Sequence, residues 1–195
     1  MLDVHKVASL FGLRIEKVAD VRGLRGDHRQ IEIDEKVPGA LYREEAKIVV
    51  VEGSTVSRQR YTIAHEIGHW VLHSGSVQFR ETIPAKKKMH AEREAEEFAA
   101  NLLMPEPIAR EAANRRFGGS IESCLENDNI AHNLAVGTGR KLTPRELACM
   151  PQLDRSSLFA RAKSFGGPQF APLCELFDVS VDAMGRRLLE LGLVS

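Results

Sequence analysis

The chain has 195 residues, enough to bury a real hydrophobic core, and one domain with a helical extension is the natural organisation at that length. Its 27 lysines and arginines balance 27 aspartates and glutamates, so bulk charge argues for neither a nucleic-acid nor a membrane partner. Three widely spaced cysteines, Cys124, Cys149 and Cys174, lack metal-site spacing and read as reduced thiols; with no signal-peptide pattern and no run long enough to span a bilayer, the expected compartment is the cytoplasm.

Leu2, Val4, Val7, Ala8, Leu10 and Phe11 suggest an opening helix. Gln30 to Asp34 alternates like a strand, with Ile31 and Ile33 on one side. Pro38-Gly39 marks a turn. Ala40 to Tyr42 and Lys47 to Val51 are two more short strands.

The next element carries the chemistry. His65-Glu66-Ile67-Gly68-His69 places two histidines four apart, so on a helix both rings point the same way and can grip one metal ion. Glu66 lies beside them, placed to work on a metal-activated water. On the helical wheel Thr62, His65, Glu66, His69 and His73 share one side. Ile63, Ala64, Ile67, Trp70 and Val71 form an apolar back that can bury. A solvated face rarely collects three histidines and no lysine, which argues against a merely exposed helix.

Catalytic zinc takes three protein ligands and keeps one position open, so a third ligand is needed. His90 to Leu103 reads as a helix with a core stripe of Ala91, Ala95, Phe98, Ala99 and Leu102. Glu92 projects inside that apolar face, Glu96 at its border, and Arg93, Glu94 and Glu97 away from it. A carboxylate embedded in apolar surroundings costs several kcal/mol unless it is paired or bound to a metal. Glu92 is therefore the expected third ligand, the competing reading being an ion pair with Arg58 or Arg60. Glu96, one turn on, is placed to accept a hydrogen bond from a zinc histidine.

The segment from about Ser74 to Met89 reads as a loop, and its Lys86-Lys87-Lys88 run as solvated or as a rim for an acidic substrate segment. Beyond Pro105 the pattern is helical, broken near Gly118-Gly119, Gly137-Thr138-Gly139 and Gly166-Gly167-Pro168. Thr143-Pro144-Arg145-Glu146 is a helix start with a capping box. Phe170 to Phe177, a turn at Asp178-Val179-Ser180, and Val181 to Leu191 look like half of a helix-turn-helix. Arg186 and Arg187 there are offset by Glu175, Asp178, Asp182 and Glu190, so packing or substrate docking is favoured over DNA contact.

The run Arg58-Gln59-Arg60-Tyr61-Thr62-Ile63-Ala64-His65-Glu66-Ile67-Gly68-His69 resembles the "RxRFTLAHELGH" signature of the ImmA/IrrE metallopeptidases. Glu92 to Pro105 is similar to their second signature, "ExEANxFAAxLLMP", whose first glutamate is the third zinc ligand and matches Glu92. Glu96 stands where that family usually has Asn or Asp. Phe177-Asp178-Val179-Ser180 and Arg187-Leu188 through Leu193 resemble the family's tail, "FxVSxxAMxxRLxxLGL". Characterised members cleave helix-turn-helix transcriptional repressors and so relieve repression of stress or mobile-element genes, which implies a repressor as protein substrate here.

These readings predict an α+β fold. A small antiparallel or mixed sheet packs on a zinc-binding helix and a second ligand helix in residues 1–109, and residues 110–195 form a helical extension with a helix-turn-helix-like end. The expected activity is zinc-dependent endopeptidase, with one Zn2+ held by His65, His69 and Glu92 and with Glu66 as the base. Candidates for a second-sphere or transition-state role are Glu96, His73, Tyr61, Tyr42 and His90. By analogy with zinc peptidases, Ile48, Val49, Val50 and Val51 are the expected edge strand along which substrate pairs. No direct DNA binding and no membrane partner are expected. The alternative is a DNA-binding or protein-interaction regulator with a non-catalytic metal site, against which the intact Glu66 argues.

Overall fold

Asp3 starts the first helix. Its carboxylate accepts from the backbone N–H groups of His5 and Lys6, capping α1 (Val4–Leu10). Val4 and Ala8 are buried, while Leu10 points to solvent at 85% exposure, so the apolar face of α1 is narrower than its composition suggests. The structure, a computed structural model, describes residues 2–19, 39–73, 85–118, 131–132, 134, 142–165 and 167–194, with 85–88 as backbone only. It is α+β and divides into two compact units, Met1–Leu103 and Met104–Ser195. No helix among the described residues is long and apolar enough to cross a membrane.

The first unit holds a three-stranded mixed sheet of β1 (Arg14–Val18), β2 (Gly39–Tyr42) and β3 (Lys47–Val51), in the order β1-β3-β2. β1 was not expected from the sequence; its exposed-to-half-buried pattern carries little apolar signal. The expected strand at Gln30 to Asp34 lies outside the described residues. β3 pairs parallel with β1, Ile48 opposite Ile15, and antiparallel with β2, Leu41 opposite Ile48.

That order overturns the expectation that Ile48, Val49, Val50 and Val51 form a substrate-binding edge. Both sides of β3 are hydrogen-bonded within the sheet, so its backbone has no donors or acceptors to offer an added strand. Ile48, Val49 and Val50 are at most 2% exposed. A continuous apolar run of this kind marks a strand covered on both faces.

α2 (Val56–Leu72) carries the H-E-x-x-H motif and starts at Thr55, whose hydroxyl accepts from the Arg58 N–H. Ile63, Ala64 and Ile67 are buried as expected, but Val71 is 43% exposed, so the apolar back stops short of the last turn. Thr62 is buried against β2. A Cβ on Gly39 would lie 2.5 Å from Thr62 Cγ2 and 2.7 Å from the Val49 carbonyl oxygen. Gly39 is thus the first residue of a strand rather than part of a turn, and its missing side chain lets helix and strand meet. Arg60 is buried and donates to the Leu2 carbonyl, tying the start of the chain to α2.

α3 (Ala85–Leu103) begins five residues before the expected start, so Lys86, Lys87 and Lys88 are helical and not in a loop. Residues 74–84 of the expected loop lie outside the described residues. Ala95, Ala99, Ala100 and Leu103 are buried. Gly68 of α2 faces this small-residue stripe: a Cβ there would sit 3.1 Å from Ala95 Cα and from Phe98 Cβ. Small residues on both sides let the two helices approach closely.

The second unit contains α4 (Glu106–Phe117), α5 (Pro144–Cys149), α6 (Gln152–Arg161), α7 (Leu173–Phe177) and α8 (Val181–Glu190). α4 stops at Gly118, whose φ of 71° is left-handed. Thr143 and Glu146 form the capping box expected for α5. α7 and α8 flank the expected turn, with Asp178 left-handed and Ser180 capping α8 through the Ala183 N–H. The core gathers Phe117 edge-to-face with Phe159, Phe165 and Phe170, at centroid distances of 5.2, 5.1 and 5.9 Å. Arg187, one of the two arginines weighed for phosphate contact, is 5% exposed and donates to the Met104 carbonyl and Glu190.

Candidate active site

Two helices build the site. α2 presents His65 and His69 on successive turns with Glu66 next to His65, and α3 crosses it to bring Glu92. Contact partners step back along α2 as they step forward along α3: His73 with Ala91, His69 with Glu92, Tyr61 with Glu96. The helices therefore run antiparallel.

His65, His69 and Glu92 form the one cluster among the described residues with at least three metal-ligating groups. His65 Nε2 and His69 Nε2 are 3.0 Å apart, and Glu92 Oε2 lies 3.3 Å from each. Donors about 2.0–2.1 Å from a tetrahedral zinc are separated by about 3.3 Å, so these residues fit that ion in type and spacing. Two imidazole nitrogens aimed at each other and at one carboxylate oxygen also favour positive charge between them. His65 is held above the ordinary histidine value. Burial, the largest single influence, opposes this, and is outweighed by the hydrogen bond to Glu92 and the charges of Glu66, Glu92 and Glu96. The Glu92 carboxyl is held far below the ordinary range by its hydrogen bonds to His65 and then His69, against the effect of burial.

Glu92 is not sealed in an apolar face: its side chain is 40% exposed. Its partners are the two imidazoles rather than an arginine, so the residue chosen by periodicity stands where expected, held by a different interaction. Glu66 is 4% exposed, and its Oε2 is buried with no hydrogen-bond partner among the described residues. An ionisable oxygen left so beside a ligand cluster has a function to be accounted for.

The remaining candidates separate. The Glu96 side chain is exposed, and it is its backbone carbonyl that is engaged, accepting from the Tyr61 hydroxyl at 3.5 Å. The expected bond from a site histidine to the Glu96 carboxylate is not found among the described residues. His73 caps α2 and directs Nε2 at the Ala91 carbonyl, 3.1 Å away, with Glu94 Oε2 at 3.9 Å. His90 is 72% exposed and paired with Glu94 at 3.0 Å. Tyr42 lies on β2 with the Lys47 ammonium 5.1 Å from its ring centre.

Sequence reasoning missed Arg43. From the turn after β2 its guanidinium bonds the carbonyls of His69 and Trp70 and lies 5.2 Å from the Trp70 ring centre. The carbonyls of a helix's last turn have bonding capacity to spare, the His69 oxygen keeping a second lone pair beside the one that accepts from the His73 N–H, and a cation there also suits the helix dipole. Nothing local marks Arg43 for this, because its partners are 26 and 27 residues away.

An H-E-x-x-H helix met by a second helix that brings a carboxylate to both histidines is the arrangement of a metallopeptidase. The chain belongs to the M78 peptidase family: the profile of its IrrE N-terminal-like domain matches residues 21–139, a span that includes both site helices. Membership implies a metal and a protein substrate. No curated protein matches the sequence significantly.

Proposed function

We propose that the protein is a zinc endopeptidase that makes a limited cut in one partner protein, a helix-turn-helix transcriptional repressor, and so relieves repression. In this reading His65, His69 and Glu92 hold one zinc ion. Such an ion supplies Lewis acidity toward a carbonyl oxygen and lets water attack near neutral pH.

The chain's own work falls first to Glu66. Its unpartnered Oε2 takes one proton from the attacking water as the oxygen bonds to the carbonyl carbon. The C–N bond then breaks, and Glu66 delivers that proton to the leaving amine. The buried Glu66 Oε2, with no hydrogen-bond partner among the described residues, beside the three converging donors is the observation that carries the proposal. A purely structural metal site has no use for it.

The choice of a repressor rests on the resemblance to ImmA/IrrE peptidases. Selectivity for one partner fits recognition outside the cleft, and the helices after Pro105 are the candidate region. The test incubates zinc-loaded protein with casein, with unrelated repressors, and with the helix-turn-helix protein encoded nearest to it. One discrete cut in that neighbour alone is expected. Digestion of casein at a comparable rate would overturn the limited-cut reading.

A further inference from the structure

We propose that His73 is a positioning residue: it holds the backbone of α3 so that Glu92 meets the two histidines. The inference rests on the reading of His65, His69 and Glu92 as metal ligands.

Glu92 needs such help. Its side chain is 40% exposed and has rotatable bonds on every carbon, so packing does not restrict it to one place. What can be restricted is its backbone. His73 Nε2 lies 3.1 Å from the carbonyl oxygen of Ala91, the residue before Glu92. A carbonyl oxygen only accepts, so that nitrogen carries the proton and donates it. Nε2 of His73 is therefore committed, and serves neither as ligand nor as base in this arrangement.

The bond closes a short circuit through the site. The His73 backbone N–H donates to the His69 carbonyl at 3.2 Å, and the same carbonyl accepts from Arg43. From His69 the path runs through His73 and its imidazole to Ala91, and from there to Glu92, whose carboxylate returns to the His69 ring at 3.3 Å. His69 and Glu92 are thereby held at both backbone and side-chain level. Close approach at Gly68 sets the separation of the helices beside Ala95 and Phe98, and His73 sets it at the end that bears Glu92. Partners of this kind fix ligand orientation, and their loss typically weakens metal binding ~10–100-fold.

The test is zinc affinity by chelator competition, with thermal unfolding of the metal-free chain alongside. His73→Phe keeps the ring and removes the donor; His73→Asn leaves a side chain too short to reach Ala91; His73→Gln returns an N–H at similar reach. The first two should lose affinity ~10–100-fold, and the glutamine should recover most of it. In a Glu92→Ala background His73→Phe should cost nothing further, because there is no Glu92 left to position. Parent-like affinity in both His73→Phe and His73→Asn would overturn the proposal, as would an equal loss with and without Glu92. Should the parent itself bind no zinc, the ligand assignment falls and this role with it. Parent binding that survives every His73 change sinks the positioning role alone.

Discussion

At the scale of single residues, two carboxylates divide the work in the proposed mechanism. One oxygen of Glu66, Oε2, is buried with no hydrogen-bond partner among the described residues, and Glu92 is half-exposed and held by two imidazoles. Their substitutions should therefore fail differently. Glu66→Gln keeps shape and removes the proposed base, so zinc content by elemental analysis should stay at the parent level while cleavage falls by at least ~100-fold. Full turnover by the metal-replete glutamine variant would remove Glu66 from the mechanism. Glu92→Ala should weaken zinc binding itself, seen as a large drop to a still measurable affinity by chelator competition, because a three-donor site becomes a two-donor one. Both residues were legible in the sequence for local reasons: adjacency to His65 in one case, position on a helical wheel in the other. Glu96 shows where that reasoning stops. The wheel put its carboxylate at the border of the face, but its backbone carbonyl is what α2 uses, through Tyr61.

At the scale of elements, two glycines decide how the site is assembled. Gly39 lets β2 lie against α2, and the atoms a Cβ would meet include the Val49 carbonyl, which cannot turn aside as a side chain would. Gly39→Ala should lower unfolding stability by about 1–3 kcal/mol, measured as a reduced urea midpoint at unchanged slope. Gly68 is a subtler case. Alanine in a helix interior is favoured over glycine by about 1 kcal/mol, yet its methyl would press on Ala95 and Phe98 at 3.1 Å. We expect Gly68→Ala to leave stability within about 1 kcal/mol of the parent while zinc affinity falls, since the shift required is in the helix that carries Glu92. Unchanged affinity would mean that the crossing distance does not set the ligand geometry. The strands teach the same lesson from the other side. Ile48-Val49-Val50-Val51 lacks the alternation of a half-exposed edge, and its uninterrupted apolar character already suited a central strand. Choosing it as the edge followed an analogy of architecture; the pairing to both β1 and β2 corrects it.

At the scale of the whole molecule, metal binding and folding should be linked. A ligand that binds only the native chain stabilises it by about 2.7 kcal/mol at one hundred times its dissociation constant. Zinc should therefore raise the thermal midpoint of the parent, chelation should reverse the shift, and Glu92→Ala should shrink it markedly; an equal shift in Glu92→Ala would place the ion elsewhere. What the sequence determined alone was whatever depends on neighbours along the chain. The i, i+4 histidines, the Thr143–Glu146 capping box and the turn at Asp178 need only helix geometry and cap chemistry, which act over a few residues. The order of the strands, the grip of Arg43 on the His69 carbonyl and the bond from His73 to Ala91 were decided by tertiary structure. The two hydrogen bonds join residues 18 or more positions apart, and no periodicity connects such residues until the core has packed and brought them within hydrogen-bonding reach.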